Sequence, residues 1–144
     1  PIGLLLDDPT GASDFVAFYD GATFCGFACM LTLGSLTHVL YFAIEDALRG
    51  RGYGALALDA MLALRPGSRY IVDIEELYPG APNLAQRRRR RRFYLKNGYA
   101  PSGVRYRWQH ENYEILVRGG ALTQREFDDF WRYFESENSR FAPI

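Results

Sequence analysis

The chain has 144 residues, 48% of them hydrophobic and 24% charged, with seventeen basic groups balancing seventeen acidic ones. That size and balance fit one globular domain of about 100–200 residues and exclude a disordered, collagen-like or low-complexity chain. Without Arg87 to Arg92, eleven basic groups face seventeen acidic ones, a net of −6. The positive charge is therefore focused, not a general affinity for nucleic acid or membranes.

Pro1 to Leu6 runs straight into Asp7-Asp8, without the basic start or the apolar stretch of a secretory leader. Asp14 to Asp20 reads as a strand, Asp20-Gly21 as a hairpin turn, and Thr23 to Leu33 as the partner strand. Cys25 and Cys29 lie four apart on one face of that strand and read as small buried hydrophobes, not as metal ligands. No metal is expected. Two cysteines make no disulfide framework, which points to a reducing, cytoplasmic setting.

His38 to Ile44 is a β-branched and aromatic strand with little alternation, as expected of burial on both faces. Its apolar run falls far short of the ~20 residues that span a bilayer. Glu45 to Tyr53 is a glycine-rich connection, after which apolar spacing turns helical from about Gly52 to Leu64. Tyr70 to Ile74 is a further strand ending in Glu75-Glu76. Asn83 can cap a helix that runs through the arginines to Lys96-Asn97, with Gly98 left-handed beyond its end. Strands are expected at about Val104–Gln109 and Tyr113–Arg118, joined by His110-Glu111-Asn112. A capping box, Thr123-x-x-Glu126, opens a last helix whose Phe127, Phe130, Trp131 and Phe134 form one stripe. The order β-β-β-α-β-α-β-β-α predicts a mixed α/β (α+β) fold.

Chemistry concentrates at Arg49-Gly50-Arg51-Gly52-Tyr53-Gly54, between a strand and a helix. Glycines allow close backbone approach, and a helix start offers unpaired N–H groups with a positive dipole end. That combination suits a phosphate or pyrophosphate; the simpler alternative is a tight strand–helix turn. A P-loop would need Lys-Ser/Thr where Ala55-Leu56 stands, and the glycine spacing does not fit the dinucleotide-binding fingerprint.

Arg49-x-x-Gly52-x-Gly54 resembles the R/Q-x-x-G-x-G/A motif of the acetyl-CoA-dependent N-acetyltransferases, the GNAT superfamily. Forty residues on, Phe93-Tyr94-Leu95-Lys96-Asn97-Gly98-Tyr99 resembles that family's second signature, and the likeness spans roughly Asp14 to Arg118. It implies a mixed, mostly antiparallel sheet flanked by helices, with a cofactor cleft between the central strands. It also implies that the family's N-terminal strand and helices are shortened or missing before Asp14. By the same likeness, Arg49, Gly50, Arg51, Gly52, Tyr53 and Gly54 would hold the pyrophosphate of acetyl-CoA. Phe42, Ala43 and Ile44 would meet its pantetheine arm, Asn83 would touch the cofactor, and Tyr94 would protonate the departing thiolate. Asn83 stands eleven residues before Tyr94, against seven in many members. The implied acceptor is a primary amine of a small molecule or peptide, and a homodimer is common among such proteins.

An amine attacks only when neutral, so a base must take its proton, and the oxyanion that forms is best met by fixed N–H donors. Neither cysteine sits where a nucleophile would be activated. His38 and Glu75 are the candidate bases. A histidine suits the task by its ordinary pKa of ~6.5, and Glu75 ends the strand where a ligand crevice would open. The alternatives are a strand-end histidine with a satisfied hydrogen bond, and solvated charges or arginine partners at Asp73, Glu75 and Glu76. Six arginines at about 100° per residue encircle a helix. If Phe93 faces the core, Arg89 and Arg90 lean the same way and can reach Asp73, Glu75 or a CoA phosphate. Two rival functions remain: a non-catalytic acyl-CoA-binding regulatory domain, and a nucleic-acid module on the arginine helix. The second is disfavoured by the acidic remainder and by the absence of interleaved aromatics.

Overall fold

The computed structural model describes residues 11–137, so the Pro1 to Asp8 stretch lies outside the described residues. These fall into two compact units, one ending at Val72 and one beginning at Asp73.

The first unit contains β1 (Ser13–Asp20), β2 (Thr23–Leu33), β3 (Leu36–Ile44), a 3-10 turn (Asp46–Leu48) and α1 (Tyr53–Leu64). It also holds the start of β4 (Arg69–Glu75). Strand order is β1-β2-β3-β4. The two hairpin pairings are antiparallel, whereas β3 and β4 run parallel from Leu36↔Arg69 to Val39↔Val72. A parallel neighbour requires a crossover, which α1 supplies. The helix is tied down by Tyr70, only 1% exposed, whose hydroxyl donates to the Met61 carbonyl at 2.5 Å and accepts from the Arg65 N–H at 3.2 Å. One phenol thus satisfies both a carbonyl and a donor where the helix runs out of partners. Arg65 also pairs with Asp14 at 2.7 Å, pinning the same end to β1.

Two irregularities shape this sheet. The register between β2 and β3 slips between Cys29 and Met30, leaving Leu40 as an extra residue on β3. At Gly26 the strands crowd so closely that a Cβ would sit 2.1 Å from the Ala43 carbonyl oxygen. Only glycine fits there. The expectation of two-sided burial holds for His38 and Val39 but fails beyond them, since Leu40 and Phe42 to Ile44 are half-buried and Tyr41 is 52% exposed. Past the bulge, apolar residues no longer signal burial on both faces.

The second unit carries β4 onward, with α2 (Leu84–Lys96), β5 (Ala100–Trp108), β6 (Glu111–Arg118) and α3 (Gln124–Glu137). Here the order is β4-β6-β5, and β5 and β6 are antiparallel. Strand β5 starts four residues earlier than its sequence pattern suggests. An irregularity between Pro101 and Arg105, with Gly103 at φ 82°, breaks the alternation that would have marked it. The hairpin turn is Gln109-His110, not His110 to Asn112. Both residues adopt positive φ (47° and 66°) without the glycine that usually announces such a turn. The capping box forms as expected: Glu126 N–H donates to Thr123 Oγ1, and Thr123 N–H donates to Glu126 Oε1, each at 3.1 Å. Phe127, Phe130 and Phe134 are buried along one stripe of α3.

Across the described residues the fold is mixed α+β, with a mostly antiparallel set of six strands and flanking helices.

Candidate functional site

In the first unit the glycine-rich segment forms an open backbone cradle. Leu48 N–H donates to the Glu45 carbonyl and Arg49 N–H to that of Asp46, closing the 3-10 turn. The chain then turns through Gly50 and Gly52, both left-handed (φ 78° and 82°), and Gly52 is the N-cap residue immediately before α1. Nothing lies within 4 Å of where a Cβ would stand on either glycine. The positive φ, not crowding, calls for glycine here, and the space above the backbone is open. Among the described residues, no acceptor is found for the backbone N–H groups of residues 50–55. Successive unpaired N–H groups at a helix start form a concavity for an anion.

Side chains frame this cradle. Arg49 is exposed and pairs with Asp46 at 3.1 Å. Tyr53 donates its hydroxyl to Asp20 Oδ2 at 2.6 Å, an anchor from α1 to the end of β1 that sequence reasoning missed. Hydrogen bonding to Asp20, with lesser help from burial, raises the Tyr53 pKa, so its phenol stays protonated. Phe42, Ala43 and Ile44, the expected pantetheine contacts, form the half-buried end of β3 leading into the cradle. His38 lies deep in this sheet, 2% exposed, opposite Leu31 on one side and Ile71 on the other. Cys25 and Cys29 are free and buried, and burial pushes the Cys29 thiol up, away from nucleophile character.

In the second unit, Tyr94 is 3% exposed and packs edge-on against Phe93 and Tyr99, at 5.2 and 5.3 Å between ring centres. Burial raises its pKa, and the Arg90 guanidinium beside the hydroxyl works the other way without cancelling it. The group therefore carries its proton at neutral pH.

Arg87 organises the remainder. Its Nη2 lies 2.6 Å from Glu75 Oε2 and 3.0 Å from Glu111 Oε2, its Nη1 donates to the Glu76 carbonyl, and its Nε donates to Asn83 Oδ1 at 2.8 Å. The guanidinium also sits 5.2 Å from the centre of the Tyr78 ring. Asn83 does stand at the start of α2, but its side chain makes no capping bond and serves Arg87 instead. Glu75 is thus engaged by a buried guanidinium.

The arginines point differently from the sequence expectation. Arg87 is buried, Arg91 is half-buried and pairs with Glu114 at 3.2 Å, and Arg89 and Arg90 are exposed. The cause is the helix phase: Tyr94, not Phe93, is the deeply buried aromatic, and Arg91 and Arg87 follow it at three and seven residues back. Elsewhere in this unit, Tyr106 donates to Asp73 Oδ2, and its ring stacks on Tyr113 (5.0 Å) and Phe127 (5.4 Å). Burial, then the charge of Asp73, drives the Tyr106 pKa far up.

Residues 11–101 match the acetyltransferase (GNAT) domain family. No curated protein matches the chain in sequence. In fold, the chain is similar to a GNAT-family protein from Bacteroides thetaiotaomicron, with TM-score 0.70 and 18% identity over 90% of this chain and 74% of that one. It is also similar to Ard1 from Thermoplasma volcanium, with TM-score 0.62 and 19% identity over 85% and 78% of the two chains. A third similar structure is an aminoglycoside 6'-N-acetyltransferase complexed with coenzyme A, with TM-score 0.60 and 16% identity over 81% and 76%.

Proposed function

The chain belongs to the acetyltransferase (GNAT) family, and from that premise we propose that it transfers the acetyl group of acetyl-CoA directly to a primary amine of a small molecule or peptide. The observation that carries this reading is the open cradle at Gly50 and Gly52, with its unpaired N–H groups at the start of α1. A diphosphate is the anion that fits several donors in series, and CoA carries one. The aminoglycoside acetyltransferase of similar fold, seen with coenzyme A, supports the same choice of cofactor.

In this mechanism, residues 50–54 hold the pyrophosphate through backbone N–H groups with the Arg49 side chain beside them, and Phe42, Ala43 and Ile44 line the pantetheine arm. The amine nitrogen attacks the thioester carbonyl as a neutral nucleophile, the C–N bond forms, and the C–S bond breaks. The Tyr94 hydroxyl gives its proton to the departing thiolate. A phenol kept protonated by burial is suited to that step. Glu75 and His38 remain candidates to accept the proton of the amine. Glu75 acts from within its pairing with Arg87, and His38 from a buried place in the sheet.

The test is thermal unfolding with CoA and with acetyl-CoA. At a hundredfold excess over the dissociation constant, the native state should gain about 2.7 kcal/mol. No shift with either ligand overturns the proposal. A shift without acetyl transfer to any amine in a panel of polyamines, aminoglycosides and N-terminal peptides indicates a binding domain instead of an enzyme.

A further inference from the structure

Helix α2 spends three of its six consecutive arginines, Arg87, Arg90 and Arg91, on its own fold and leaves a second set outside. Arg88, Arg89, Arg92 and Lys96 are all exposed. Among the described residues, none of the four has a carboxylate within ion-pair distance or a hydrogen-bond acceptor for its side chain. By contrast, Glu75, Glu111, Glu114 and Glu76 are each already paired with Arg87, Arg91 or Arg105. The acids nearest in the sequence pattern therefore do not serve the outer stripe.

The four cations follow one line. Arg88, Arg92 and Lys96 are spaced four residues apart, about 6 Å of axial rise per step, with Arg89 three residues before Arg92. Like charges at these spacings repel and weaken a helix. This stripe therefore carries an unfavourable interaction that an external polyanion would relieve.

We propose that the exposed stripe Arg88, Arg89, Arg92 and Lys96 binds the phosphate backbone of nucleic acid without regard to base sequence. Three features select this partner. Guanidinium groups fork onto phosphate oxygens, and three of the four cations are arginine. The stripe's four side chains are all cations, with no aromatic among them to anchor a protein interface, whose energetic centre is normally a buried aromatic or aliphatic cluster. Phosphate contacts need only charge. The missing aromatics also mean no base stacking, hence no sequence preference. The acidic balance of the remaining chain confines contact to this helix face and keeps the affinity modest.

Fluorescence anisotropy with the full chain tests this, using a fluorescein-labelled 20-base-pair DNA duplex and a labelled oligouridylate of the same length. With up to four phosphates neutralised, affinity for the duplex should fall about a hundredfold between 50 and 200 mM salt. Arg92→Gln alone should reduce the logarithmic salt slope by about one. The combined variant R88Q/R89Q/R92Q/K96Q should lose binding while melting no lower than the wild type, because repulsion has been removed. Duplex and single strand should both bind, and scrambling the duplex sequence should change nothing. Three results overturn the proposal: no binding at 50 mM salt, binding that the combined variant retains, or tighter capture of polyglutamate than of the duplex. Displacement of the oligonucleotide by a single equivalent of CoA would also overturn it, by assigning the stripe to the cofactor. Because its readout is independent of acetyl transfer, failure here leaves the proposed function standing, and the converse is equally true.

Discussion

Arg87 holds Glu75 at 2.6 Å and Glu111 at 3.0 Å through the same terminal nitrogen. One side chain of α2 therefore fastens the end of β4 to the start of β6, and the Glu76 carbonyl and Asn83 complete its contacts. Arg87→Met should lower the melting midpoint by several degrees, because two carboxylates lose their common partner. Arg87→Lys should recover only part of the loss, since an ammonium cannot fork. Differential scanning calorimetry separates the three proteins.

The same contact has a pH signature. Hydrogen bonding from Arg87 holds the Glu111 pKa below its ordinary 4.5. A depressed carboxyl pKa contributes stability that is complete above the ordinary value and drains away as pH falls through the folded one. Melting midpoints of the wild type and Arg87→Met should therefore differ most near neutral pH and converge as the pH falls well below 4.5. Parallel curves down to pH 3 would show that Glu111 does not draw on Arg87.

Gly26→Ala should be the most damaging small substitution in the first unit. Its added methyl would meet the Ala43 carbonyl oxygen at 2.1 Å, and backbone cannot rotate aside as a side chain can. A loss of about 3 kcal/mol is expected, at the upper end for overpacking. Urea denaturation measures it, and a change under 1 kcal/mol would mean that β2 and β3 separate there at little cost.

Gly52→Ala and Gly67→Ala form a matched pair. Both positions have positive φ (82° and 79°), and both have open space where a Cβ would go. Each substitution should cost about 1–2 kcal/mol from the left-handed backbone alone. Only Gly52→Ala should also weaken CoA binding in titration calorimetry, because only Gly52 belongs to the cradle. Equal affinities in the two variants would detach the cradle from the cofactor.

Tyr94→Phe should slow acetyl transfer by roughly 10²-fold, the lower range for a general acid, with CoA affinity nearly unchanged. Since burial holds the Tyr94 hydroxyl above its usual value of 10.0, the wild-type rate should show no alkaline decline from this group below pH 10. Normal turnover in the variant would remove Tyr94 from the reaction.

Most of the architecture was legible in the sequence because its signals are local. Asp20-Gly21, the Thr123–Glu126 box and Gly98 at φ 89° each act within a few residues. The cradle was legible for the same reason, since its glycines answer to backbone conformation. What stayed hidden depends on partners distant along the chain. Gly26 is required by a carbonyl seventeen positions on, and the role of Arg87 by acids on two strands. The phase of α2 is not legible in the sequence because Phe93 and Tyr94 are both aromatic, and adjacent aromatics leave the buried side undetermined until packing selects it. The Gln109-His110 turn was missed because neither residue type advertises a left-handed backbone.

Both thiols of this protein lie sealed inside the first unit, at 2% and 4% exposure. Maleimide reagents should accordingly leave the native chain unmarked, and a cysteine introduced at Arg88 or Ala60 would become the sole attachment point for a dye. The protein comes ready for single-site labelling, with no native cysteine to remove beforehand.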